Sequence, residues 1–270
     1  MLRETTLNNP ETPEGERIAR FPDEDSPGSG RIRILDRPVN VLNMEQAVAR
    51  VRRAWGAGKA CQVVTANVEM LHASLQDQEL ARILEEAELV TADGAGVLLA
   101  ARMDGSYLPE RVAGFDLMLA CLQEAAREGV PVFFLGARPP VLQEALLKIS
   151  QRFPGLTIAG SHHGYFEDGE GEAIVNQIRV RKPRLLFVAL GAPRQEKWIY
   201  GYLDRLPPCV AIGVGGSLDV LAGKARRAPS WMQRAGLEWF YRLLQDPSRL
   251  RRMSVIPLFL LKVLWRRLSP

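Results

Sequence analysis

The sequence predicts an α/β fold: a Rossmann-like, mostly parallel sheet with helices on both faces, followed by a basic helical C-terminal appendage. Two observations carry this. From residue 31 short β-branched runs alternate with longer segments whose apolar residues recur about every three to four positions, the pattern of parallel βαβ units. Past Gly223 that alternation stops and basic residues concentrate. Length and composition agree. The 270 residues fit one large domain with appendages, and 47% hydrophobic with 24% charged residues excludes a mainly disordered, collagenous or multi-span membrane chain.

Residues 1–30 hold four prolines, three glycines and seven acids without an apolar period, so they predict a disordered tail. Asp23-Glu24-Asp25 within it matches the Asp-x-Asp of metal-dependent sugar-nucleotide enzymes only superficially and reads as solvated charge. The α/β core then occupies 31–222. Its strands are expected at 31–35, 39–42, 61–65, 88–92, 130–136, 156–160, 184–191 and 209–215, each β-branched or continuously apolar. Helical spacing fills the intervals at 44–55, 67–76, 78–87, 95–103, 115–128, 139–153, 171–181 and 193–206. Right-handed crossovers put these helices on both faces, with ligands at the carboxyl ends of the strands.

The appendage, 223–270, reads as one helix from Arg226, carrying Trp231, Leu237, Trp239 and Phe240 and stopping at Asp246-Pro247, then a further segment from Ser254 to Leu268. The apolar run Val255–Trp265 is eleven residues, too short for the roughly 20 of a membrane-spanning helix. Its basic ends suit a segment lying in an anionic membrane interface, or else a terminal helix packed on the body or on a second subunit. The appendage holds eleven Lys/Arg against Glu238 and Asp246, a net of +9 that leaves −5 for residues 1–222 out of a total of +4. That asymmetry predicts an anionic partner for this end. Nucleic acid is not expected, because the body is acidic and the appendage lacks aromatic–basic interleaving on a sheet.

Cys61, Cys121 and Cys209 form neither a disulfide framework nor a Cys-x-x-Cys motif, and the first residues lack a secretory pattern, so a reducing cytosol is expected. Five loops at strand ends combine glycine with polar groups: Thr65–Asn67, Thr91–Gly96, Gly136–Pro139, Gly191–Glu196 and Gly213–Gly216. Thr65 and Asn67 read either as ligand contacts or as a helix cap, and Asp93 either as a pocket carboxylate or as a cap. Gly136–Pro139 reads as a phosphate cradle at a helix N-terminus. No strand-placed G-x-G-x-x-G, no G-x-x-x-x-G-K-[ST] and no G-x-S-x-G occurs, and His72, His162 and His163 have no metal-ligand spacing. No bound metal and no cofactor are expected.

Nine motifs in order carry a resemblance: Thr-Ala-Asn-Val-Glu-Met (65–70), Ala-Asp-Gly-Ala-Gly (92–96), Glu-Arg-Val-Ala-Gly-Phe-Asp (110–116), Phe-Leu-Gly-Ala (134–137), Gly-Tyr-Phe (164–166), Leu-Gly-Ala-Pro-Arg-Gln-Glu (190–196), Gly-Val-Gly-Gly-Ser-Leu-Asp (213–219), Arg-Ala-Pro (227–229) and Glu-Trp-Phe-Tyr-Arg-Leu (238–243). Together they resemble the WecG/TagA/CpsF glycosyltransferases over about residues 31–252, with the tail and the segment 254–270 outside the match. The resemblance implies a metal-independent, inverting transferase. It would move an N-acetylmannosamine-type sugar from a UDP donor to a polyprenyl-diphosphate-linked sugar, peripherally at the cytoplasmic membrane face.

It also implies roles. Asp93 matches the proposed general base, and Thr65, Asn67, Arg111 and Gln195 match pocket positions, with an ion pair to Glu110 or Asp116 an ordinary alternative for Arg111. Arg242, Arg249 and Arg252 match arginines that would compensate the departing diphosphate. Gly136, Tyr165 and Asp219 are candidates for the uridine side. The rival reading is another nucleotide-binding Rossmann-like enzyme, a methyltransferase or reductase. Homo-oligomerisation stays open.

Overall fold

The structure, a computed structural model, describes residues 30–245, 250 and 254–268, without the side chains of Asp168 and Arg242. The acidic tail and its Asp23-Glu24-Asp25 lie outside the described residues.

Among the described residues eight strands form, each overlapping an expected one, the second starting two residues earlier than expected. β1 (Arg31–Ile34) and β2 (Arg37–Asn40) make a separate antiparallel hairpin. The other six are β3 (Cys61–Ala66), β4 (Leu89–Ala92), β5 (Val132–Gly136), β6 (Ile158–His162), β7 (Leu185–Ala189) and β8 (Val210–Gly213). They form one parallel sheet in the order β4-β3-β8-β7-β5-β6.

The helices of the core are α1 (Met44–Trp55), α2 (Val68–Ala73), α3 (Gln78–Glu86), α4 (Ala95–Met103), α5 (Gly114–Glu128), α6 (Pro139–Arg152), α7 (Gly171–Arg181), α8 (Arg194–Tyr202) and α9 (Ser217–Leu221). Local chemistry sets their ends. Asn43 and Gln46 form a reciprocal capping box at α1, each side chain bonding the other's backbone N–H at 2.9 Å.

Alternate residues of each strand serve different cores. Val63, Leu89, Phe134, Phe187 and Ile212 meet Leu117, Met118 and Leu122 of α5 and Ala145 and Ile149 of α6 on one face. Val64 and Val90 meet α2, α3 and α4, and Phe133, Leu135, Leu186 and Ala211 meet α7 and α8. Each such Leu or Phe, removed fully from water, contributes about 2 kcal/mol of transfer free energy.

One correction concerns the appendage. The expected single helix from Arg226 is two, α10 (Ser230–Arg234) and α11 (Glu238–Gln245). Gly236 breaks it: at φ 73° it accepts a left-handed bend, with Gly236 N–H donating to Gln233 O at 3.2 Å and Leu237 N–H to Met232 O at 2.8 Å. The expected stop at Asp246-Pro247 lies outside the described residues. The terminal segment forms α12 (Val255–Leu268), which is packed on the body through fully buried Phe259 and Val263 against α2 and α4. Arg266 holds Asp36 through two bonds of 2.6 and 2.7 Å, and Arg267 Nη1 donates to Met103 O at 2.6 Å. The opposite face of α12 exposes Leu258, Leu261, Leu264, Trp265 and Leu268. Among the described residues no helix is long and apolar enough to cross a membrane.

Candidate active site

Chain order fixes where a ligand can sit. The crossover leaving β5 runs outward to β6, whereas the one leaving β7 runs the other way to β8, and β5 and β7 are neighbours. The connections leaving their carboxyl ends therefore diverge, which opens a crevice at a topological switch point. A cleft of about 760 Å³ lies there, between Ala137 after β5, Ala189–Gly191 after β7 and the Gly215–Gly216 turn after β8. Gly136 makes the crevice possible: at φ 131° it is out of reach of most side chains, and a Cβ would overlap the Ala189 backbone. Tyr165 and Asp219 line this cleft, and Gly136 adjoins it through Ala137. Phe166, Arg138 and Arg194 line it as well, the Arg194 guanidinium standing 5.2 Å above the Phe166 ring.

The expected phosphate cradle at α6 is weaker than its position suggests. Pro139 and Pro140 fill the first two positions of the helix, where neither offers an N–H. The arginines at 138 and 194 supply cations on the same rim.

The second half of the site lies across β3 and β4. Asp93 follows β4, its N–H donating to Ala66 O at 2.8 Å, so it stands beside the end of β3. Its Oδ2 accepts from the Gly114 N–H at 3.1 Å, the first residue of α5. The residue at the cap position of α4 is Gly94, which has no side chain to bond the helix, and the Asp93 bond runs instead to the first turn of α5. Thr65 is buried and donates through Oγ1 to Gly213 O at 3.1 Å. Asn67 caps α2, its Oδ1 accepting from Met70 N–H at 2.8 Å, which leaves its amide nitrogen for other partners. The capping reading of Asn67 is thus correct as far as one oxygen is concerned.

Gln195 is nearly buried and turned inward. Its Oε1 accepts from Gly215 N–H at 2.9 Å, and its Nε2 donates to Glu196 Oε1 at 2.7 Å. The Gly213–Gly216 turn is therefore gripped by Thr65 from one half and by Gln195 from beneath, which makes it the shared wall of the two halves. Arg111 takes neither expected partner as its shortest: it bonds Glu238 of α11 at 2.6 Å and stands 3.8 Å from Asp116. Glu110 instead accepts from Met44 N–H at 3.0 Å. Arg242 is carried by α11, and Arg249 and Arg252 lie outside the described residues.

Reasoning from sequence passed over Glu196, Arg227 and Glu238. Glu196 has no exposed surface, and burial pushes its carboxyl above the ordinary 4.5. Arg227 forms a two-pronged pair with Asp116 at 2.5 and 2.6 Å and stacks 4.9 Å above Phe115, and the Asp116 bond raises its pKa further. The partners of Arg227 and Glu238 lie over a hundred residues away in the chain. Among the described residues no group of three His, Cys, Asp or Glu is arranged to hold a metal ion.

A parallel doubly wound sheet with a polar cleft at its switch point and a carboxylate on the same edge is the architecture of Rossmann-like nucleotide-binding enzymes. The chain belongs to the glycosyl transferase WecG/TagA/CpsF family, whose profile matches residues 32–270. That match extends to the last residue and so includes 254–270, which the motifs alone left outside. The chain is 39% identical over 202 residues, 75% of its length and 78% of the relative's, to an N-acetylglucosaminyldiphosphoundecaprenol N-acetyl-β-D-mannosaminyltransferase of Bacillus subtilis strain 168. Proteins of the same name from Bacillus spizizenii (39% over 206 residues, 76% and 79% covered) and Staphylococcus aureus strain MW2 (38% over 201, 74% and 78% covered) are similarly alike.

Proposed function

We propose that this glycosyltransferase is an inverting enzyme that moves an N-acetylmannosamine-type sugar from a UDP donor to a polyprenyl-diphosphate-linked N-acetylglucosamine. The observation that carries the reading is that Asp93 stands at the same carboxyl edge of the sheet as the switch-point cleft, linked to it through the end of β3 and the Gly213–Gly216 turn. The names of the relatives support the sugar and the lipid-linked acceptor.

In this mechanism Asp93 takes the proton of the acceptor hydroxyl as its oxygen attacks the anomeric carbon. The bond from that carbon to the UDP oxygen breaks on the opposite face, and UDP leaves with its charge. Inversion needs one such carboxylate. Thr65, Asn67 and Gln195 serve the sugar, directly or by holding the glycine turn. Gly136, Tyr165 and Asp219 serve the uridine end. Arg242, Arg249 and Arg252 compensate the diphosphate. The exposed apolar face of α12, flanked by Lys262 and Arg266, rests on an anionic membrane where the acceptor resides, at the cytoplasmic face. The core at 31–222 and the appendage at 223–270 then divide the work between chemistry and membrane.

Incubating the full chain with UDP-sugars and a polyprenyl-diphosphate-N-acetylglucosamine on acidic vesicles tests this. We expect a β-linked product with stoichiometric UDP, and about 10²–10⁴-fold slower turnover for Asp93→Asn at unchanged circular dichroism. Binding of S-adenosylmethionine or NAD in place of UDP would turn the reading toward a methyltransferase or reductase.

A further inference from the structure

Four charged side chains from distant stretches of chain meet where the appendage joins the body. Their signs alternate along the row Glu238, Arg111, Asp116, Arg227. Arg111 donates to Glu238 at 2.6 Å and stands 3.8 Å from Asp116, which receives both Nη groups of Arg227 at 2.5 and 2.6 Å. The Arg111–Glu238 pair that begins this row is half-buried, with 20% of Arg111 and 12% of Glu238 exposed, so it is not a solvated surface contact. Beside it, the Gly236 bend lies so close to α4 that a Cβ there would be 2.7 Å from the Cβ of Ala95, two residues after Asp93.

Asp116 places the row on the helix turn that also holds the candidate base. Gly114 and Asp116 are the first and third residues of α5: one donates its N–H to Asp93 Oδ2, and the other receives the two arginines. Val112, next to Arg111, donates its N–H to Ala92 O at 2.9 Å, which ties the same loop to the residue before Asp93.

We propose that Arg111 and Glu238 form a clamp that seats α10 and α11 over the Asp93 loop. Arg111 is then a positioning residue of the transfer reaction, acting through the appendage without touching the substrate. The inference rests on the transferase reading for its effect on turnover, but not for the clamp itself. Removing either partner breaks the same 2.6 Å bond, so the two removals are not independent.

The test is a double-mutant cycle in the full chain, R111Q, E238Q and R111Q/E238Q, read by kcat/KM on acidic vesicles and by hydrogen exchange of residues 230–245. Each single variant is expected to lower kcat/KM about tenfold and to speed exchange in that segment, and the double variant to be no worse than either single. The charge-swapped R111E/E238R is expected to regain most of the activity lost in R111E. If R111Q is much slower than E238Q, or the two losses multiply, Arg111 contacts the substrate and the proposal fails. Unchanged exchange in both single variants also overturns it. A chain without transferase activity whose segment 230–245 still loosens in the variants would refute the proposed function and leave the clamp standing.

Discussion

A carboxyl group with no exposed surface lies against the Gly213–Gly216 turn: Glu196 accepts from Gln195 through Oε1, and its Oε2 is buried without a hydrogen-bond partner among the described residues. Because burial raises its native pKa, the native chain keeps this proton at pH values where the unfolded chain has lost it. Stability therefore falls as pH climbs from about 4.5 through the native value, the reverse of a salt-bridged carboxylate. Glu196→Gln cannot ionise, so its melting temperature relative to wild type should rise by about 2–4 °C or more between pH 4 and pH 8, measured by calorimetry. A difference independent of pH would mean that Glu196 titrates normally. At Gly136, substitution by Ala adds a Cβ into the Ala189 backbone at a φ that Ala rarely adopts. We expect a loss of about 3 kcal/mol in urea unfolding, together with weaker UDP binding, because the same backbone shapes the cleft. The position of Thr65, Asn67, Asp93 and Gln195 at strand ends was legible in the sequence because the strand–turn–helix alternation marks those turns. Glu238 was not, since nothing local to a helix reveals a partner 127 positions away.

Among the elements, α12 shows how far a helix can depart from the usual one-sided pattern. Phe259 and Val263 face the body while Leu258, Leu261, Leu264 and Trp265 face outward, so the helix is apolar on two opposite sides. Substitutions on the two sides should separate cleanly. Phe259→Ala is expected to destabilise by about 3–5 kcal/mol in urea unfolding. Leu258→Ser with Leu261→Ser and Trp265→Ser is expected to change stability by less than about 1 kcal/mol, while reducing sedimentation with acidic vesicles more than about tenfold. Equal vesicle binding by that triple variant would assign the outer face to a second copy of the chain, which ultracentrifugation would reveal. The sequence showed that this segment was apolar with basic ends, yet periodicity alone could not say which side the body would take. The same limit explains α10 and α11. Their apolar spacing continues through Gly236, and only the left-handed bend at that residue ends the first helix.

At the scale of the whole molecule, the strand and helix succession predicted a doubly wound sheet, but not the order β4-β3-β8-β7-β5-β6 that creates the crevice between β5 and β7. Strand order depends on which helices share a face, and that is a long-range packing outcome. Globally, the three thiols report on the integrity of this assembly. Cys61, Cys121 and Cys209 are all buried, and desolvation pushes each up to about 12. No thiol should react with a maleimide at pH 7 on the native chain, and all three should react in denaturant; a native-state reaction would reveal local opening of the sheet. The two-faced α12 also has a consequence for the chain as a thermodynamic unit. Its inner side is part of the core, so its outer side is offered only by the folded state. A surface that binds that side must draw the folding equilibrium toward the native chain, and acidic vesicles should raise the melting temperature in proportion to the logarithm of lipid concentration.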